Sequence, residues 1–161
     1  MTADTAPDGL WRWAVRVYAA EGVSEAALHL QDAAGQNVPL LLWAAWTART
    51  GRCPDADSVE AACDVARAWQ DTAIAPLRAI RRDLKGRNPD LDDADREAIR
   101  NAVKAVELDG ERRLLAALEA LAPPSSGAPR PVLDALITVA RQWSPMTPRP
   151  GLTQLAERLP A

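Results

Sequence analysis

Three groups of residues in this sequence are equipped for chemistry or recognition. The first surrounds His29, the single histidine of the 161-residue chain. Glu25 lies one helical turn before it, and Asp32 follows on the same side. In an acid–base role, His29 would move the proton and Glu25 or Asp32 would orient the ring. Leu28 and Gln31 occupy a neighbouring flank, and Gln31 and Asp32 could instead tie down the following turn by bonding its backbone groups. Neither Ser nor Cys stands at a spacing that would make it a nucleophile for this group. The structural alternative, a solvated helix face with a weak Glu–His pair, is therefore the stronger one.

The second group is Arg78, Arg81, Arg82 and Lys85. On a helix these four cations fall within one arc of about 100°. Guanidinium forks suit phosphates and carboxylates, so the stripe could face an anion, RNA or an acidic partner surface. Two internal explanations compete. Cations favour the last turn of a helix through the macrodipole, and Asp90, Asp92, Asp93, Asp95 and Glu97 follow after a short turn and could neutralise the stripe. Internal pairing is favoured over partner or anion binding, and nucleic acid is disfavoured because no aromatic stacking motif accompanies the arginines. If the stripe faces a partner, Arg81→Glu with Arg82→Glu removes capture and leaves the fold intact.

The third group is aromatic: six tryptophans and no phenylalanine. An indole wants burial together with a partner for its N–H. Trp11 and Trp13 lie about 160° apart on one helix, so a single neighbour cannot bury both. One of them should line a groove or an interface, where tryptophan concentrates binding energy, unless the C-terminal tail covers the pair.

The elements that position these groups are helical. With 33 Ala and 19 Leu against 10 Val and 4 Ile, the chain is rich in helix formers and poor in the β-branched residues of strands. A net charge of -3 and a charged fraction of 25% fit a globular chain. The longest apolar run is about half of what spans a bilayer, and the N-terminus lacks the basic-then-apolar pattern of an export signal. Two cysteines do not make a disulfide framework, and with one histidine no zinc-ligand set is present. No metal, cofactor or membrane association is expected.

Helices are expected over 8–20, capped by Asp8, and over 24–35. A third, over 38–49, opens with Asn37 as cap and Pro39 in its first turn. Its apolar residues, centred on Trp43, point in nearly every direction, so it should be a central buried helix. A helical stretch over 55–85 should break near residues 73–75 because Pro76 removes a backbone donor, with Ala73, Leu77, Ile80 and Leu84 continuing the apolar stripe. A long helix over 92–121 carries Ile99, Val103, Val106, Leu114, Leu118 and Leu121 at 3–4 spacing, with Gly110 as a weak point. Residues 123–131 read as a Pro/Ser linker, followed by a tail with helices over 132–143 and 152–159. The reading is an all-α core domain over 8–122, a compact bundle around its central helix, with a proline-linked C-terminal helical appendage over 132–161.

Three motifs in order carry a resemblance: Leu10-Trp11-x-Trp13 leading to Gly22-Val23; Leu28-x-Leu30-Gln31-Asp32-x-x-Gly35 leading to Trp46; and Pro76-Leu77-Arg78-x-x-Arg81-Arg82. Over residues 10–85 the chain resembles a family of proteobacterial proteins of about 160 residues known as a domain of unknown function. Pro39 departs from that family's pattern, where a small polar residue is more usual. The resemblance implies a cytoplasmic, helical bacterial protein and implies no reaction.

The expected function is a non-enzymatic interaction or regulatory domain. It would engage another protein, or a second copy of itself, through a Trp/Leu groove near the first helix and the Arg78–Lys85 face. The alternative is a ligand-binding or enzymatic domain with a pocket around His29, Gln31, Asp32 and Trp46. RNA or anion binding through the basic stripe is the third reading. An interaction domain should show an exposed apolar patch, and an enzyme a closed, polar-lined pocket. His29→Ala should leave function untouched unless the enzymatic reading holds.

Overall fold

A computed structural model describes residues 9–161, and Asp8, the expected first cap, lies outside them. The described residues form α1 (Leu10–Tyr18), α2 (Val23–Ala34), α3 (Val38–Arg49), α4 (Ala56–Trp69), a π-helical turn (Gln70–Ile74), α5 (Ala75–Asp83), α6 (Asp93–Leu121), α7 (Val132–Trp143) and α8 (Arg149–Arg158). No strand occurs among them, so the fold is all-α.

Helix α3 is the hub. Asn37 caps it by accepting a hydrogen bond from the Leu40 amide at 3.0 Å, and Pro39 sits in the first turn, where a missing N–H is harmless. The Asn37 amide also donates to Gln70 Oε1 at 3.0 Å, which fastens the start of α3 to the π-turn. Ten of its twelve residues are buried. Helices α1, α2, α4, α6 and α7 pack around it, so apolar side chains at every azimuth have a neighbour.

Pro76 disturbs the backbone as expected, but the chain does not break there. The helix widens to π over Gln70–Ile74 and resumes as α5 with Pro76 in its first turn. A π-bulge absorbs the lost donor while the backbone stays helical. Gly110 is buried in an uninterrupted α6, where a Cβ would meet the Ile74 side chain at 3.4 Å.

The C-terminal segment completes the core. Leu136, Ala140 and Trp143 of α7 and Leu152 and Leu155 of α8 belong to the same buried cluster as Trp43. Trp143 Nε1 donates to the Gly35 carbonyl at 2.9 Å, and Arg67 stacks on its ring at 4.4 Å. The segment over 123–131 is non-helical but is no free tether. The Ser126 and Gly127 amides donate to the Gly51 carbonyl at 3.1 and 3.2 Å, and the Arg130 amide donates to the Ala48 carbonyl at 2.9 Å. Gly51 permits this approach: its φ is +65°, and a Cβ would lie 1.9 Å from the Gly127 carbonyl oxygen. Helix α8 begins at Arg149, three residues earlier than expected, because Pro150 fits its first turn.

The expected stripe of α5 and the first half of that of α6 are not core. No residue of α5 is buried, and Ile80, Ile99 and Val106 are exposed. With 29 residues, α6 is about 44 Å long. Its C-terminal half packs in the bundle through Leu114, Leu115 and Leu118. Its N-terminal half carries α5 alongside as a hairpin, closed by buried Arg96, which donates to the Leu84 and Lys85 carbonyls at 2.5 and 3.3 Å.

Candidate functional site

A cavity of about 580 Å³ opens where the hairpin leaves the bundle. Helix α1 supplies Trp11, Ala14, Val15 and Tyr18, whose spacing places them along one flank, while Leu10, Trp13 and Val17 turn into the core. Leu28 and Gln31 come from α2, and Val38, Pro39 and Leu42 form the floor at the start of α3. Helix α5 contributes Arg78 and Arg81, and α6 contributes Glu107, Leu108, Glu111 and Leu115. The site is thus an apolar groove with one polar end.

The polar end is ordered by Glu107, a buried carboxylate on the inward face of α6. Arg81 grips it as a fork, donating from Nε at 2.6 Å and from Nη2 at 3.3 Å, and Arg78 donates from Nε at 3.3 Å. Burial pushes the Glu107 carboxyl up. The hydrogen bond and charge of Arg81, with Arg78 behind it, outweigh that cost and hold it below the usual range. The hydrogen bond to Glu107 in turn raises Arg81. Glu111, one turn on, forms a longer ion pair with Arg78 Nη2 at 3.6 Å. Its carboxyl is pushed up, first by burial, against the attraction of Arg78. Burial and the charge of Glu111 also raise Tyr18.

The residues singled out in the sequence separate into two sets. Trp11, Gln31, Arg78 and Arg81 meet in the groove. Arg112 lies over the Trp11 ring at 5.3 Å, an arrangement that favours a cation. Trp13 is buried in the core, and His29 is exposed. Asp32 and Arg82 form an exposed pair at 3.4 Å on the outer surface. Trp46 is buried 1% exposed in α3, with Arg52 stacked at 4.5 Å, so the expected pocket of His29, Gln31, Asp32 and Trp46 does not exist as a unit.

The internal neutralisation of the basic stripe is real but uses other carboxylates. Glu107 and Glu111 meet Arg78 and Arg81, whereas Asp93 pairs with Arg87 and Arg96 at 3.6 and 3.5 Å. A fold-neutral Arg81→Glu is therefore no longer expected, since Arg81 is the clamp on a buried acid. The acids themselves carried a signal in the sequence. Glu107 stands within about 20° of Leu114 on the helical wheel of α6, and an acid in a core register demands a cation opposite.

Among the described residues no helix is long and apolar enough to cross a membrane. No group of three or more His, Cys, Asp or Glu is placed to hold a metal ion among them. No curated protein and no solved structure gives a significant match. A family model described as "Protein of unknown function (DUF2390)" matches residues 9–118, which include every element lining the groove but neither α7 nor α8. The chain belongs to the DUF2390 family.

Proposed function

We propose that this protein is a non-enzymatic cytoplasmic binding domain, and that its groove receives apolar side chains from a segment of another protein. One observation carries the reading. Three of the exposed large apolar side chains, Val15 (52%), Leu28 (46%) and Leu108 (55%), all border this cavity. Leaving them in water forgoes roughly 25 cal/mol for each Å² that a partner would cover. A pocket built for a small molecule has its apolar surface inside; here it spreads over the rim. An amphipathic helix laid in such a groove anchors by side chains at i, i+3, i+4 and i+7. Trp11 and Arg78 at its wall belong to the residue types that dominate interface energies.

Of the residues of the enzymatic alternative, His29, Gln31, Asp32 and Trp46, Gln31 alone lines the cavity. The RNA reading drew on a free cationic stripe, and Arg78 and Arg81 are bound to Glu107.

The test is the triple variant Val15→Asp, Leu28→Glu, Leu108→Glu. All three positions are exposed, so the melting temperature should stay within about 3 °C of the parent, surface substitutions contributing little to stability. Affinity capture from native cells should retain a discrete partner with the parent chain and lose it with the variant. A second copy in the groove would show as a concentration-dependent dimer that the same changes dissolve. Undiminished capture by a folded triple variant would defeat the proposal.

A further inference from the structure

We infer that the polar end of the groove is a receptor for one carboxylate, supplied by an aspartate or glutamate side chain that the partner segment carries beside its apolar anchors. This rests on the groove reading and adds the partner's chemistry to it. Donors converge at that end with capacity to spare. Arg78 is largely buried, its side chain 17% exposed. It donates once, from Nε to Glu107, and its Nη2 lies 3.6 Å from Glu111, beyond hydrogen-bond reach. No other hydrogen bond among the described residues engages that guanidinium. The Gln31 amide has only a long 3.4 Å contact with the adjacent Asp32, and the Tyr18 hydroxyl lines the same cavity. A largely buried guanidinium whose terminal nitrogens donate no hydrogen bond among the described residues matches the two oxygens of a carboxylate.

The two acids present do not fill that role. Glu107 is held bidentately by Arg81 and stays ionised. Glu111 is partly buried and is the weaker acid of the two, so it yields to an incoming anion by taking up a proton. The groups facing Glu111 are Arg78 and Arg81 from α5, Glu107 from α6 itself and Tyr18 from α1, with Asp32 of α2 behind Tyr18. Helix α3 presents only Val38, Pro39 and Leu42 there. A second negative charge beside Glu111 raises its carboxyl further. Capture is therefore coupled to proton uptake and tightens as pH falls.

Three probes isolate the chemistry: 4-phenylbutyrate, 4-phenylbutan-1-ol and 4-phenylbutylamine share an apolar body and differ in charge. Each is titrated into the 15N-labelled chain while the Trp11 indole and Leu42 and Leu115 amide resonances are followed. The acid should bind at millimolar strength and at least fivefold tighter than the alcohol, with the amine weakest. Lowering the pH, over the range in which the probe acid stays ionised, should tighten the acid alone. Arg78→Met should bring the acid to the alcohol's affinity, and Glu111→Gln should tighten the acid and abolish its pH dependence. The comparison of probes on the parent chain stands even where a variant fails to fold. Equal binding of acid and alcohol, or preference for the amine, overturns the carboxylate receptor and leaves the groove standing. Failure of all three to move those resonances overturns the groove reading too. Binding of the free acid below about 10 µM would identify a small-molecule ligand and overturn the partner-segment assignment.

Discussion

Arg81→Glu destabilises the domain by about 3 kcal/mol, while Arg82→Glu leaves it within about 1 kcal/mol of the parent. The two arginines are neighbours in sequence and differ in what they hold. Arg81 grips buried Glu107 at 2.6 and 3.3 Å, and its reversal sets one carboxylate against another that is largely withdrawn from water. Removing one partner of a buried pair costs about 3–5 kcal/mol. With the Arg81 side chain 24% exposed, the lower end of that range applies. Arg82 contacts only exposed Asp32, a surface pair of small value. At about 3 °C per kcal/mol for a domain of this size, thermal melts should separate the two by more than 5 °C.

The same clamp sets an acid limb. Because the Glu107 carboxyl is held below its usual value, its ionised pairing stabilises the fold above the unfolded value of about 4.3, and that stability is lost as pH falls through the folded value. The stability gap between the parent and Arg81→Met should therefore be full at pH 7 and shrink below about pH 4. A gap that is constant down to pH 3 would show that Arg81 acts through packing alone.

Trp43→Ala should be the most damaging single truncation, at about 3–5 kcal/mol. Its ring is fully buried in α3, the helix on which α1, α2, α4, α6 and α7 converge. A ring of this size in the helix on which the others pack leaves a cavity that small shifts do not close. Because native domains stand only about 5–15 kcal/mol above the unfolded state, the variant should melt about 10–15 °C lower. A loss under 1 kcal/mol would mean that the hub repacks freely and that α3 does not organise the bundle.

Much of the architecture was readable because local chemistry decides it. Asn37 and Pro39 mark the start of α3, Asp92 caps α6, and Pro76 marks the disturbance after α4. An apolar pattern with no polar side identified α3 as buried. Where periodicity misled, it did so for a physical reason. The 3–4 spacing of Ile99, Val103 and Val106 shows that α6 is amphipathic there, but it cannot show whether a neighbour exists to cover that face. Beyond the end of the bundle only α5 is available, and Ile99 and Val106 stay in water.

The candidate site divides in the same way. Trp11, Gln31, Arg78 and Arg81 drew notice by type and spacing, and all four line the groove. Their convergence depends on a crossing of α1, α2 and the α5–α6 hairpin that no local signal encodes. The choice of Glu107 over the nearer run from Asp90 to Glu97 has a similar origin. The turn after α5 sends that run past the tip of the hairpin, and the antiparallel return of α6 brings position 107 level with Arg81.

The central claim is that a partner protein lies in this groove, and site-specific photo-crosslinking in living cells tests it most directly. A benzophenone amino acid replaces Leu28 on the groove rim or, in a parallel strain, Ile99 on the hairpin, two apolar positions of comparable exposure at 46% and 57%. A discrete protein adduct should form from position 28, fade when Leu108→Glu is added, and be absent from position 99. An adduct from position 99 with none from position 28 would contradict the account and move the interface to the other side of the molecule.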